Sequence, residues 1–195
     1  MKFHGTFIGI DRYQSPDIGF LSSAVCDATA LHTLFADGFG GEPVILADAD
    51  ATKHDIVSEL QRLANVSCDE DLVVVTFSGH GSTTHELVPY DADRSRLEDT
   101  ALPLEEVATL LNQIPAATLV CVLDCCFSGG FGAKVLVAPV QARDLESESD
   151  LLEQIAGKGR IVLAASAPRE QAYEDVGLRR KHSAAGTDAR LMCEL

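Results

Sequence analysis

The chain alternates between short apolar runs and segments whose apolar residues recur at helical spacing. The apolar runs, which predict β-strands, cover residues 6–10, 43–46, 72–77, 118–123 and 160–165. Helical spacing covers residues 22–35, 52–63 and 104–111. The last three strands are apolar on both faces, which is typical of strands buried inside a parallel sheet. Strands that alternate with helices predict an α/β fold with a mostly parallel central sheet and helices on both faces.

Two of the predicted strands end in clusters of polar residues. The strand at 72–77 runs into Ser-Gly-His-Gly at residues 78–81, and the strand at 118–123 runs into Asp-Cys-Cys-Phe-Ser-Gly-Gly at residues 124–130. In an open parallel sheet, ligands bind beyond the carboxyl ends of the strands. We therefore expect both clusters at the same edge of the sheet, on neighbouring strands.

Cys126 and His80 are the candidate catalytic residues in these clusters. Only the thiolate form of a cysteine attacks, and a nearby imidazole can take the thiol proton and return it to a leaving amine. The backbone N–H groups of Gly81 and Cys126 are candidates for an oxyanion hole. Cys125 is the weaker nucleophile candidate because alternation along the chain directs it to the opposite side from Cys126. His85 remains a rival base, and both cysteines could instead be core thiols.

These motifs resemble the metacaspase and orthocaspase branch of the caspase-like cysteine peptidases, peptidase family C14 of clan CD. The sequences at residues 78–81 and 124–129 carry most of the resemblance, and residues 9–13, 26–28, 87–91 and 164–167 also match family motifs. The resemblance implies a three-layer caspase-like fold over residues 1–177 and a dyad of His80 and Cys126. The family's final strand and helix have no match here, so we expect the C-terminal part of the fold to be incomplete. Residues 178–195 have no clear strand or helix signal.

The resemblance also implies a substrate pocket lined by Asp27, Ser78 and Asp124. A carboxylate in a narrow cleft selects Arg or Lys, because a buried charge needs an opposite partner. Neither catalytic motif is flanked by the basic residues that would hold an acidic side chain. We therefore expect an endopeptidase that cleaves polypeptides after Arg or Lys.

Composition and charge change this picture only in detail. Fifteen basic and 30 acidic residues produce a formal net charge of −15, which disfavours nucleic acids and anionic membranes as partners. The N-terminus lacks the features of a secretion signal, so we expect a cytoplasmic protein. In that reducing compartment its six cysteines are expected to be thiols. A monomer is the expected oligomeric state. The proposed chemistry requires no cofactor. The sequence does not decide whether calcium binds, because a hard cation needs six or more oxygen ligands and only Asp93 and Asp99 are candidates.

The helix and strand pattern weakens after the glycines at 129, 130 and 132, and an acidic stretch follows at residues 144–150, so we expect the segment at 132–158 to be a mobile, autoprocessed loop. Autocleavage is expected after Arg143, with Lys134 and Lys158 as further candidates, and Arg160 is the next basic residue after this segment. Two other functions are compatible with the sequence. One is a catalytically silent caspase-like scaffold or regulatory module, and the other is a cysteine hydrolase that acts on small molecules.

Overall fold

The fold is built around a five-stranded parallel sheet. The computed structural model describes residues 1–125, 135–136 and 159–164. In these ranges the strands of the sheet are β1 (Phe3–Gly9), β2 (Val44–Ala47), β3 (Leu72–Ser78), β7 (Thr118–Asp124) and β9 (Arg160–Ala164). Their order is β2-β1-β3-β7-β9, and they are parallel throughout. The predicted α/β fold with a mostly parallel sheet is therefore confirmed.

Helices cover both faces of this sheet. On one face, α1 (Ala24–Phe39) packs Ala28 against Phe7 and Val74. The larger core lies on the other face, where α2 (Lys53–Val66) and α4 (Leu104–Asn112) bury their apolar sides. A short α3 (Leu97–Thr100) precedes α4. Thr52 caps α2 because its side-chain oxygen accepts a hydrogen bond from the backbone N–H of Asp55, which explains why the helix begins there.

A second, smaller sheet lies beside the carboxyl end of β3 and has no counterpart in the sequence predictions. It has the order β6-β5-β4-β8 and consists of β4 (Gly81–Ser82), β5 (Glu86–Leu87), β6 (Leu102–Pro103) and β8 (Val135–Leu136). Strands of two residues are too short to produce a recognisable alternation of apolar and polar positions. The strand β8 falls inside the segment that we expected to be a loop, and the rest of that segment lies outside the described residues.

The prediction that the last strands are apolar and buried on both faces is wrong for β7 and β9. In β7 the residues alternate between buried and half-buried positions, and in β9 Ile161 and Leu163 are 50% and 54% exposed. Within the described part of the chain, β9 is one of the two edge strands of the sheet, so its only neighbouring strand is β7. An apolar sequence identifies a strand, but burial also depends on which elements cover it.

Arg160 belongs to this strand rather than to a loop. Its guanidinium donates hydrogen bonds to the backbone oxygens of Leu111, in the last turn of α4, and of Ile114, just beyond it, at 2.8 Å and 3.1 Å. The described helices include none that is long and apolar enough to cross a bilayer.

Candidate active site

The carboxyl edge of the main sheet brings the two polar clusters together. Strands β3 and β7 are neighbours, and their last residues, Ser78 and Asp124, are paired in register. His80 follows two residues after Ser78, and Cys125 directly follows Asp124. The Gly79 N–H donates to the Asp124 carbonyl oxygen at 3.3 Å, so the chains stay together beyond the strand ends. The prediction that both clusters lie at one edge on adjacent strands is confirmed for residues 78–81 and for Asp124 and Cys125, which are the part of the second cluster that the structure describes. Cys126 itself lies outside the described residues.

His80 is buried, with 5% of its surface exposed, and its ring is held by a backbone carbonyl. Its Nε2 lies 2.9 Å from the backbone oxygen of Gly19, in the loop between β1 and α1. A carbonyl oxygen can only accept, so Nε2 carries the hydrogen and Nδ1 of the neutral imidazole carries the lone pair. The ring is therefore held in the tautomer that can act as a base through Nδ1.

The backbone of His80 is held by a side chain from the same loop. The His80 N–H donates to the hydroxyl oxygen of Tyr13 at 2.9 Å, and the two rings are tilted against each other with centroids 5.2 Å apart. Sequence reasoning identified neither Gly19 nor Tyr13 as a site residue. The only signal was that Tyr13 ends the motif at residues 9–13.

Two of the three predicted pocket residues are in direct contact. The Ser78 hydroxyl donates to Oδ2 of Asp124 at 3.0 Å, and Asp124 is half-buried. Asp27 lies in the first turn of α1. That turn crosses the end of β1 so closely that a Cβ on Gly9 would lie 2.4 Å from the Ala24 backbone oxygen. Gly9 is in register with Ser78, so Asp27 belongs to the same edge of the sheet.

Gly81, the second candidate for the oxyanion hole, is the first residue of β4. It pairs with Leu87 of β5 and with Val135 of β8, so this part of the site is built into the small sheet. Just beyond it, the buried carboxylate of Glu86 accepts hydrogen bonds from the hydroxyls of Ser82 and Thr84. These bonds close the short connection between β4 and β5.

His85, the rival base, lies in that connection. It is held at a positive φ of 63°, and its backbone oxygen accepts a hydrogen bond from Leu104 N–H at 2.9 Å. Desolvation lowers the pKa of the half-buried His85 imidazole below its ordinary value.

The cysteines divide into distinct environments. Cys121 is fully buried in the core, where desolvation raises its pKa to about 12, and Cys125 is a buried thiol with 1% of its surface exposed. Cys68 is an exposed free thiol. Cys26, in α1, is disulfide-bonded, so the expectation that all six cysteines are thiols is wrong for this residue. Cys126 and Cys193 are outside the described residues.

Of the two candidate metal ligands, Asp93 is engaged through its carboxylate and Asp99 through its backbone oxygen. Asp93 caps a short 3₁₀ turn by accepting hydrogen bonds from the Ser95 N–H and hydroxyl, and these bonds lower the pKa of its carboxyl. The backbone oxygen of Asp99 accepts a hydrogen bond from Lys53 Nζ at 3.3 Å. In the described ranges, no three His, Cys, Asp or Glu side chains are grouped so that they could hold a metal ion.

The autocleavage candidates Lys134, Arg143 and Lys158 lie outside the residues that the structure describes.

Comparison with known families agrees with this arrangement. A family model described as a caspase domain, Peptidase_C14, matches residues 5–187. The chain belongs to the caspase-domain family. The match spans the carboxyl-edge site described above, including His80, Ser78 and Asp124.

Solved structures support the fold of the caspase domain. The crystal structure of protein GSU0716 from Geobacter sulfurreducens is similar, with a TM-score of 0.55 and 19% sequence identity. The similarity covers 65% of this chain and 51% of that protein, so the chain spans about half the length of its structural relative. At this identity the likeness concerns the fold alone. No functionally curated protein matches the sequence.

Proposed function

We propose that this caspase domain is a cysteine endopeptidase of the metacaspase or orthocaspase branch that cleaves after Arg or Lys. Cys126 is the nucleophile and His80 is the base. The observation that carries the proposal is the pairing of Ser78 with Asp124 at the ends of β3 and β7, because it brings the two catalytic motifs to one edge. The polypeptide substrate binds across this edge, and the reaction needs no cofactor.

The tautomer of His80 supports its role as the base. With Nε2–H donated to Gly19, the Nδ1 lone pair accepts the Cys126 thiol proton, and the thiolate attacks the scissile carbonyl carbon. The oxyanion is stabilised by the N–H groups of Gly81 and Cys126, each worth about 3 kcal/mol. His80 then gives its proton to the departing amine, leaving a thioester. Water, deprotonated by His80, cleaves the thioester to release the carboxylate and restore the thiol.

The acidic residues of the edge support the preference for Arg and Lys. Asp124 is oriented by the Ser78 hydroxyl, and Asp27 projects from the helix that crosses the end of β1. A cationic side chain entering between them would neutralise carboxylates that are already partly removed from water. An acidic side chain would meet like charge at close range.

The small sheet supports autoprocessing of the segment that follows Cys126. The strand β8 begins directly after Lys134 and pairs with β4, which contains Gly81. Residues 135–136, which directly follow Lys134 in the chain, are therefore held beside Gly81. We expect cleavage after Arg143, with Lys134 and Lys158 as further positions.

Fluorogenic peptides that end in Arg, Lys or Asp test the proposal, assayed with and without calcium. We expect turnover of the Arg and Lys peptides, loss of at least about 100-fold in Cys126→Ala and His80→Ala, and wild-type rates in Cys68→Ala. Cys68 is the matched control because it is an exposed thiol that precedes the amino end of β3, whereas the motif at residues 78–81 lies at the carboxyl end of that strand. Mass spectrometry of wild type and Cys126→Ala tests autocleavage, which should occur in wild type only. A folded wild type that cleaves none of these peptides would favour the silent scaffold.

A further inference from the structure

One loop, residues 10–23 between β1 and α1, contacts both the imidazole ring and the backbone N–H of His80. The ring contact, Nε2 to the Gly19 oxygen, is described above. The second contact joins the backbone N–H of His80 to the Tyr13 hydroxyl oxygen, 67 positions earlier in the chain, at 2.9 Å. We propose that Tyr13 is a positioning residue that holds the His80 backbone so that the imidazole keeps its catalytic placement. This inference rests on the proposed function of His80 as the catalytic base.

Tyr13 is suited to this role because its own backbone is held on both sides. Just before it, the carboxylate Oδ1 of Asp48 accepts hydrogen bonds from the N–H groups of Asp11 and Arg12, at 2.8 Å and 2.9 Å. Just after it, Gln14 N–H donates to the Tyr90 backbone oxygen at 2.9 Å. The phenol therefore extends from a fixed stretch of chain to His80.

The phenol is also buried and neutral. Tyr13 is 7% exposed and belongs to the main core, and desolvation raises the pKa of its hydroxyl well above the ordinary value. A neutral phenol oxygen can accept the backbone N–H at any pH at which the protein is active. Because the side chain is buried, it contacts His80 rather than a substrate.

Gly79 makes the close approach between Tyr13 and His80 feasible. A Cβ added at Gly79 would lie 3.2 Å from the Tyr13 hydroxyl oxygen and 3.1 Å from the Phe77 ring. A larger residue would therefore press on the phenol that accepts the His80 N–H. The close packing of Tyr13 and Phe77 thus explains why a glycine precedes His80.

Removing only the hydroxyl, in Tyr13→Phe, leaves the ring contact and the core packing in place. We expect kcat for an Arg peptide to fall at least about tenfold, because small displacements of catalytic groups strongly reduce the rate. KM should stay within about threefold, since no contact with the substrate is lost. The ¹⁵N signals of the His80 ring should also shift, which a purely structural role would not require.

Tyr90→Phe is the matched control. Tyr90 is half-buried, and in the ranges that the structure describes its hydrogen bonds are made by its backbone, which accepts from Gln14 N–H and donates to the Ala51 oxygen. This variant should retain wild-type kcat and the wild-type His80 spectrum. Equal kcat in the two variants would overturn the proposal, and so would a fall in Tyr13→Phe without a change in the His80 signals.

The experiment separates this inference from the proposed function. If wild type cleaves no peptide, the proposed function fails, and the comparison of His80 spectra alone decides whether Tyr13 positions the ring. If Tyr13→Phe does not fold, hydrogen exchange of the His80 amide in wild type decides. Protection of about 100-fold or more supports the hydrogen bond to the phenol, and exchange at the rate of an unprotected amide overturns it.

Discussion

The Ser78 hydroxyl donates a hydrogen bond to the carboxylate of Asp124 across the ends of β3 and β7, at 3.0 Å. The two residues are partners in the strand register, so their side chains meet because of the sheet and not because of a loop. A carboxylate oriented in this way keeps a fixed direction at the edge where the substrate is proposed to bind.

Asp124→Asn should therefore reduce kcat/KM for Arg and Lys peptides by about 100-fold, the effect of removing one partner from a desolvated charge pair. Ser78→Ala should have a smaller effect in the same direction, because it removes the orientation of the carboxylate and not its charge. Steady-state kinetics with peptides ending in Arg, Lys and Gln measures both effects. An unchanged ratio of Arg to Gln turnover in Asp124→Asn would contradict the assigned pocket.

The helix α1 provides an internal control for the second pocket carboxylate. Asp27 lies in its first turn and Asp37 is exposed near its last residue, at the far end. We expect Asp27→Asn to lower kcat/KM for Arg peptides by at least about tenfold and Asp37→Asn to leave it unchanged. Equal effects of the two substitutions would mean that only the overall charge of the surface matters.

Sequence patterns predicted the strands that build the site but not the contacts that hold it. The positions of His80 and Asp124 followed from two apolar runs with polar ends, because adjacent parallel strands bring their carboxyl ends to one edge. Gly19 could not be predicted, since it acts through a backbone carbonyl that any residue carries. The Tyr13 contact joins chain segments 67 residues apart and depends on the path of a loop.

Asp71 should make the stability of the fold depend on acid pH. Its buried carboxylate accepts hydrogen bonds from Lys2 N–H at 2.6 Å and from the Cys68 thiol at 3.1 Å, and these lower its pKa well below the ordinary value. A carboxyl whose pKa is lower in the folded state stabilises the fold above its unfolded pKa of about 4. This contribution is lost as the pH falls further, through the folded pKa.

Thermal unfolding of Asp71→Asn and Asp69→Asn between pH 7 and pH 2 tests this dependence. Asp69 is an exposed neighbour of Asp71. We expect Asp71→Asn to lower Tm by several degrees at pH 7, with a deficit that shrinks below about pH 4, and Asp69→Asn to have little effect. A deficit of constant size across this range would assign the effect of Asp71 to packing instead of charge.

The environments of the cysteines predict an order of chemical labelling. In the native protein N-ethylmaleimide should modify Cys68 within minutes, whereas the buried Cys121 and Cys125 should react only after unfolding. Cys26 should become reactive only after a reductant opens its disulfide. Peptide mapping before and after reduction measures this order. Labelling of Cys26 without reductant would contradict the disulfide, and rapid labelling of Cys121 would contradict the core position of β7.

Gly9 links the packing of α1 to the site, and Gly9→Ala tests this link. The added methyl would lie 2.4 Å from the Ala24 backbone oxygen and 2.8 Å from the Ala28 Cβ, so α1 would have to move away from β1. We expect a loss of about 1–3 kcal/mol in the free energy of unfolding, typical of overpacking, measured by urea denaturation.

Because the displaced turn carries Asp27, the variant should also lose kcat/KM for Arg peptides under conditions in which it remains folded. Gly38→Ala is the control, since a methyl there meets no atom within 4 Å and the residue lies inside α1. It should leave activity unchanged and stabilise the protein by up to about 1 kcal/mol, because alanine favours the helix over glycine. Wild-type stability and activity in Gly9→Ala would show that α1 does not need to sit this close to β1, and that the position of Asp27 is set by other contacts.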